Sequence, residues 1–430
     1  MSREPIVAVV GLGYVGLPLA AAMAATGSRV VGVETDPAVR AAVRAGNVLR
    51  FEPGVAELVA SLPAGRFTVE AEPPPDPAAV VLCVGTHVDE QRRPDVRDLE
   101  SAARTVAEVA GEDTVVVVRS TVAIGTCRRA VLPLLRRRRS APLLAFCPER
   151  TIQGRALAEL ARLPQIIGGL DERSVMRASE LLKPVTGEHV LVSSLEAAEA
   201  VKLICNAHTD LIYGFGNEVA LIAHGLGLDA AELIRSANAG YPRPDLSRPG
   251  FVGGSCLVKD PYLLLGSGLA GGYRPVMVEA ARAVNERVPH HIVDVVEAAV
   301  TARRPLAEAK VFVAGIAYKG DPPTDDVRGS AAEPVARRLA GRVAALAGHD
   351  QLVPPERISA LGYRPVELDE GLDGADALVV LTNHPAYRDL TADRLRARLR
   401  PGAVVFDAWG VTPGAAEGVE GLRYLGLGRG

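Results

Sequence analysis

Ile6-Val7-Ala8-Val9-Val10-Gly11-Leu12-Gly13-Tyr14-Val15-Gly16-Leu17 is the stretch whose reading decides the fold. Five consecutive apolar residues predict a short strand buried on both faces. A Gly-x-Gly-x-x-Gly turn follows, and residues 17–25 have the composition of a helix. Residues 29–33 read as a second strand, ending in Glu34-Thr35-Asp36. Strand, glycine turn, helix, strand, and an acid roughly 20 residues past the glycines make the pattern of a dinucleotide-binding βαβ unit. In that pattern Gly11 makes the tight turn, Gly13 admits the pyrophosphate, and Gly16 lets helix and strand pack closely. Tyr14 and Val15 complete the loop, where helix N–H groups and dipole favour an anion. Glu34 is suited to accept hydrogen bonds from the adenosine ribose. A carboxylate there opposes a 2′-phosphate, so the expected cofactor is NAD rather than NADP.

The same α/β rhythm continues outward through strands at 79–84, 114–118 and 143–146. Each ends in a polar or small cluster: Gly85-Thr86-His87, Arg119-Ser120-Thr121, and Cys147-Pro148-Glu149-Arg150. Ligands of open α/β sheets bind outside the carboxyl ends of the strands. Thr86, Thr121 and Glu149 are therefore expected to line one crevice near the nicotinamide. The competing reading is local: Ser120 and Thr121 as helix caps, Glu149 as half of a surface ion pair. The arginine run 136–139 reads as a solvated helix end. Residues 166–169 and 189–192, with a helix between, look like the last strands of a domain spanning 1–193.

From Ser194 the pattern changes to long helices. Glu196, Glu199, Lys202 and Asn206 fall at helical spacings and share one face. Lys202 and Asn206, one turn apart, suit an oxyanion clamp; the simpler alternative is an exposed Glu199–Lys202 pair. Further along lies Arg248-Pro249-Gly250-Phe251-Val252-Gly253-Gly254-Ser255-Cys256-Leu257-Val258-Lys259-Asp260. A glycine turn, one cysteine, then a lysine and an acid can support a reactive thiolate, with Gly253 and Gly254 allowing close backbone approach. The alternative is a turn around a buried, inert Cys256. A long helix through 280–302 completes a region 194–304 that bridges domains or forms a dimer face. A second α/β unit, 305–430, has strands at 310–316, 377–381 and 403–406. It lacks Gly-x-Gly-x-x-Gly, and its loops offer Lys319 and Arg328 to an anion; Asp326 with Arg328 reads equally as a turn-stabilising pair. The expected fold is α/β: an N-terminal Rossmann-type domain, a central long-helix region and a C-terminal Rossmann-like α/β domain.

The 430 residues exceed one ordinary core, and 48% of them are apolar, so two or three well-filled domains are expected. A net charge of −3 gives no support for a nucleic-acid partner. The five cysteines, at 83, 127, 147, 205 and 256, include no CxxC pair. Neither a metal site nor a disulfide framework is expected. No apolar stretch is long enough to span a bilayer and no basic segment precedes Ile6, so the expectation is a cytoplasmic protein without a membrane partner.

Taken together, these pieces resemble the UDP-glucose/GDP-mannose dehydrogenase family of nucleotide-sugar 6-dehydrogenases. The matching segments are Gly11-Leu12-Gly13-Tyr14-Val15-Gly16-Leu17, Ser120-Thr121-Val122, Pro148-Glu149-Arg150, Lys202 with Asn206, Asn217-Glu218, Gly253-Gly254-Ser255-Cys256 with Lys259-Asp260, Ala281-Arg282-Ala283-Val284-Asn285-Glu286, and residues 315–330. They stand in the family's order across nearly the whole chain. The resemblance implies an NAD domain, a dimerising helical centre and a nucleotide-sugar domain. It implies oxidation of the sugar C6 alcohol to a carboxylate with two NAD+, through a thiohemiacetal and thioester on Cys256. Lys202 and Asn206 would steady oxyanions, and Thr121, Glu149 and Asp260 would position or activate water. Lys259 and Arg328 would lie near the cofactor or the domain junction. Lys319 would lie near the sugar diphosphate, with Glu149, Lys202, Asn206 and Gly253 also touching substrate.

Leu257-Val258 replaces an aromatic and a proline frequent in that family, His87 stands where proline is common, and Asp407-Ala408-Trp409 lacks an arginine that some members carry. These departures bear on the sugar and base. UDP-glucose is the default expectation and a dTDP-hexose is compatible; UDP-N-acetylhexosamines and GDP-mannose stay open. The alternative activity is a single-step NAD-dependent hydroxy-acid dehydrogenase, which needs neither Cys256 nor the second nucleotide-sized domain. A non-catalytic NAD-dependent sensor is a third reading. The expected assembly is a homodimer or higher homo-oligomer.

Overall fold

The computed structural model describes residues 4–48, 50–242, 245–412 and 421–429. It divides into two units, Met1–Asn206 with Tyr262–Pro275, and Ala207–Pro261 with Val276–Gly430.

The first unit is built on an eight-stranded sheet. Its order is His189–Leu191, Gln165–Gly169, Leu143–Phe146, Val115–Val118, Ala79–Leu82, Ile6–Val10, Arg29–Val33, Phe67–Glu70. Every neighbouring pair is parallel except Leu143–Phe146 with Gln165–Gly169. The strands are unbroken apolar runs because both faces are covered. Val7, Val9, Val115 and Val117 pack with Leu19 and Met23 on one side. Ala8, Val116 and Val118 pack with Leu99, Val106 and Leu135 on the other. Sequence order reverses at Ile6–Val10, whose neighbours are Arg29–Val33 and Ala79–Leu82. That reversal opens a crevice at the strands' carboxyl ends, where ligands of such sheets bind.

The second unit carries a six-stranded, all-parallel sheet in the order Arg364–Pro365, Ala345–His349, Lys310–Ala314, Ala377–Val380, Val404–Asp407, Arg423–Gly426. Val288, Ile292, Val296 and Val300 of the helix Val276–Thr301 pack on one face against Val311, Val313 and Val404. Phe312, Leu378 and Val380 pack with Leu395 on the other.

The two sheets repeat one local geometry. Gly11 (φ +92°) and Gly315 (φ +94°) both end the central strand in the left-handed region. Gly11 N–H donates to Val33 O at 2.8 Å, and Gly315 N–H to His349 O at 2.9 Å. Leu12 N–H then donates to Glu34 Oε2 at 3.0 Å, as Ile316 N–H does to Asp350 Oδ2 at 2.7 Å. The second unit is thus a Rossmann-like repeat without the three-glycine signature. Two further features depart from sequence-based expectation. Ala345–His349 forms a strand that its alanines did not announce. In the arginine run only Arg136, Arg137 and Arg138 are exposed; Arg139 is buried and donates to Thr114 O at 3.1 Å.

Candidate functional site

The glycine turn forms a cradle whose three glycines do different things. A Cβ on Gly16 would lie 1.8 Å from Gly11 O, and one on Gly11 2.9 Å from Cys83 O. Both glycines are required by the packing of the turn. Gly13 has no atom within 4 Å of its would-be Cβ. Its missing side chain serves open space, the space a diphosphate needs. A cleft of about 150 Å³ adjoins it, lined by Leu12, Gly13, Leu17, Glu34, Asp36, Val39, Val43 and Arg50. Glu34 is held there by two backbone donors, Leu12 N–H and Asp36 N–H, both at 3.0 Å. Each oxygen keeps capacity for a ribose hydroxyl. The residues present fit an ADP-ribosyl group and, through Glu34, one without a 2′-phosphate.

At the carboxyl ends of the next strands, Thr86 Oγ1 donates to Thr121 O at 2.5 Å, and Ser120 Oγ donates to Val84 O at 2.7 Å. The expected pair Thr86 and Thr121 is therefore brought together. Glu149 does not face solvent with Arg150. It binds the buried Arg119, which donates to Glu149 Oε2 through Nε at 3.1 Å and Nη2 at 2.8 Å. Arg119 also reaches Gln165 Oε1 at 2.9 Å and Cys147 Sγ at 3.3 Å. Glu149 Oε1 accepts from the N–H groups of Arg150 and Thr151. Burial pushes the Glu149 carboxyl up, but the Arg119 charge, the Thr151 N–H and the Lys202 charge outweigh it and hold the group below its ordinary range. Glu149 is thus a fixed carboxylate, and Arg119, missed in the sequence, is what fixes it.

Lys202 and Asn206 lie one turn apart on the helix Leu195–Leu226, and Lys202 is buried. The exposed Glu199–Lys202 pair does not form. Glu199 is fully buried and accepts from Gly125 N–H and Cys127 N–H. It thereby holds the loop that follows Thr121.

Burial also sorts the cysteines. It pushes Cys83 up to about 12 and Cys147 up to about 11, and raises Cys127 well above the ordinary thiol range. Thiols so placed are inert. Cys205 and Cys256 are exposed.

In the second unit, Cys256 sits on the one-turn helix Gly254–Leu257. A Cβ on Gly253 would meet Gly329 O at 2.2 Å, and one on Gly254 (φ +83°) the Tyr318 ring at 2.7 Å. The glycines are there so that the cysteine loop can press on the 318–329 segment. That segment carries Lys319, whose Nζ lies 5.5 Å from the Tyr318 ring centroid, and Arg328, bound to Asp326 at 2.9 and 2.7 Å. The turn-stabilising reading of Asp326 with Arg328 is therefore correct as geometry. Lys259 Nζ donates to the fully buried Asp260 at 2.7 Å. The loop's start is pinned by Asn217, which exchanges two hydrogen bonds with Gly250 (2.9 and 2.8 Å) and donates to Asn285 at 2.8 Å. Its end is pinned by Arg282, which donates to Leu257 O at 3.2 Å and pairs with Asp210. Asn217, Arg282 and Asn285 were legible only as motif fragments; their work is to hold this loop. Among the described residues no cluster of three or more metal-binding side chains occurs, and no helix is long and apolar enough to cross a membrane.

Models of one family match along the chain: its NAD binding domain at residues 6–186, central domain at 196–287 and UDP binding domain at 312–413. A UDP-N-acetyl-D-mannosamine dehydrogenase of Pyrococcus horikoshii is 32% identical over 433 residues, covering 99% of each chain. Another, from Escherichia coli K12, is 31% identical over 94% of this chain and 98% of its own. A solved UDP-N-acetyl-D-mannosamine dehydrogenase structure from Pyrococcus horikoshii superposes with a TM-score of 0.88 at 31% identity, covering 99% of both chains. The chain belongs to the UDP-glucose/GDP-mannose dehydrogenase family, and is an NAD-dependent nucleotide-sugar oxidoreductase.

Proposed function

We propose that the protein oxidises the C6 alcohol of a nucleotide-diphosphate hexose to the carboxylate, with Cys256 holding the carbon between two oxidations. The observation that carries this reading is Cys256 itself, an exposed thiol on a loop braced at both ends. Bound NAD+ supplies the hydride acceptor for each oxidation. After the first, Cys256 Sγ adds to the C6 aldehyde carbon and the carbonyl oxygen becomes a hydroxyl. Loss of hydride from that hemithioacetal, with its hydroxyl proton released to water, leaves a thioester. Water then cleaves the carbon–sulfur bond, releasing the carboxylate and returning the thiol. Lys202 and Asn206 stabilise the oxyanions of these steps. Glu149, held ionised below its ordinary range, is a poor proton acceptor and is assigned to orienting water. Thr121 and Asp260 are assigned with it to positioning or activating that water. Gly11, Gly13, Tyr14, Val15, Gly16, Glu34 and Thr86 are assigned to binding the cofactor, as are Lys259 and Arg328; Gly253 and Lys319 are assigned to the sugar nucleotide.

For the substrate, the names of the similar proteins favour a UDP-N-acetylhexosamine, UDP-N-acetylmannosamine first, over UDP-glucose. The test is NADH counting across UDP-N-acetylhexosamines, UDP-glucose, dTDP-glucose and GDP-mannose. Two NADH per sugar, with UDP-N-acetylmannosamine turned over best, supports the reading. One NADH per molecule points to single-step oxidation. We propose a homodimer as the working assembly and the division 1–193, 194–304 and 305–430 as its domains.

A further inference from the structure

We infer that Arg50 is a cofactor-binding residue that pairs with the diphosphate of NAD. The glycine turn offers backbone N–H groups but no formal positive charge: the first helical turn, from Gly16, carries no charged side chain. The adjoining cleft is lined by two carboxylates, Glu34 and Asp36, and by a single basic residue, Arg50. A dinucleotide adds two more negative charges there, which the helix N-terminus offsets only in part. Arg50 answers that excess. Its guanidinium lies 5.6 Å from the Tyr14 ring centroid, over the side chain at the middle of the glycine turn. That is the diphosphate end of the cleft. The ribose end belongs to Glu34, whose carboxylate is oriented by Leu12 and Asp36 N–H groups.

The nearby arginines are committed elsewhere. Arg40 donates to Glu34 O and Thr35 O, both at 2.8 Å. Arg44 donates to Val69 O at 2.9 and 2.5 Å. Arg50 is exposed at the rim, so its side chain can swing from the tyrosine face onto the phosphates as the ligand enters. A guanidinium suits the role because its forked donors match phosphate oxygens.

This assignment rests on the cofactor reading of the cleft, and the two fail differently. Calorimetric titration of the full-length protein with ADP-ribose, at low and high salt, tests both. Absence of binding by the wild type would sink the cleft itself. Given wild-type binding, Arg50→Met, which keeps the apolar stem, weakens ADP-ribose about fivefold to tenfold and flattens the salt dependence. Arg50→Lys, which keeps the charge, stays within about threefold of wild type. The assignment is overturned if Arg50→Met binds like wild type, or keeps the full salt dependence. It is also overturned if Arg50→Lys is as weak as Arg50→Met, the pattern of a planar group stacked on the base.

Discussion

Arg119 carries its charge into a site with almost no water, and Glu149 answers it; their side chains are 1% and 10% exposed. Removing one partner of a buried pair strands the other. Arg119→Met is expected to lower unfolding free energy by about 3–5 kcal/mol, read by urea denaturation. The pair also sets a pH dependence. Glu149 has a lower proton affinity folded than unfolded, so its stabilisation is complete above the unfolded value, about 4.3. It is lost as pH falls through the folded value. Wild-type stability is therefore expected to fall more steeply below about pH 5 than that of Glu149→Gln, and equal slopes in parallel melts would contradict the pairing. Arg119 was not legible in the sequence because it stood in a cluster that read as capping chemistry. The signal existed: Val115–Val118 and Leu143–Phe146 are parallel neighbours. Their carboxyl ends put Arg119 beside the Cys147–Glu149 turn. Only the strand order makes them neighbours, and strand order is not local.

At the scale of elements, the glycine turn separates packing from binding. Gly16→Ala drives a methyl into a backbone carbonyl, so the protein is expected to lose melting temperature along with cofactor binding. Gly13→Ala meets nothing. It is expected to melt like wild type while NADH affinity, read by fluorescence, falls about tenfold or more, about 1.4 kcal/mol. Matching behaviour of the two variants would count against the division of labour among the three glycines. Where strands are uninterrupted, valine-rich apolar runs, as at Ile6–Val10 and Val115–Val118, the sequence declares them. Ala345–His349 does not, because alanine and glycine carry little strand preference. There the sheet is specified by pairing with Lys310–Ala314. The repeat of the glycine–acid geometry around Gly315 and Asp350 was equally hidden. A single glycine and an aspartate replace the longer signature, and the aspartate's carboxylate also takes the N–H groups of Leu352 and Val353.

For the whole molecule, the helix Leu195–Leu226 leaves Ile212, Phe215, Ile222 and Leu226 exposed at spacings of three, seven and four. Such spacing puts them on one stripe. An apolar stripe of this kind marks an association face, and the proposed occupant is a second copy of the chain. Phe215→Glu is expected to shift the species seen by light scattering from dimer to monomer; a wild-type monomer would remove the proposal. The cysteine loop could be picked out from its residues; the groups that hold it could be picked out only as motif fragments, without their role. Asn217 and Arg282 reach it from 33 and 25 residues away, and Asn285 acts through Asn217. Their contribution is geometric. The decisive measurement is acid formation by Cys256→Ala beside wild type, with the same nucleotide sugar and NAD+. The account predicts two NADH and one carboxylate per sugar for wild type, and no carboxylate from the variant. Uronic acid made by the variant at the wild-type rate would contradict it.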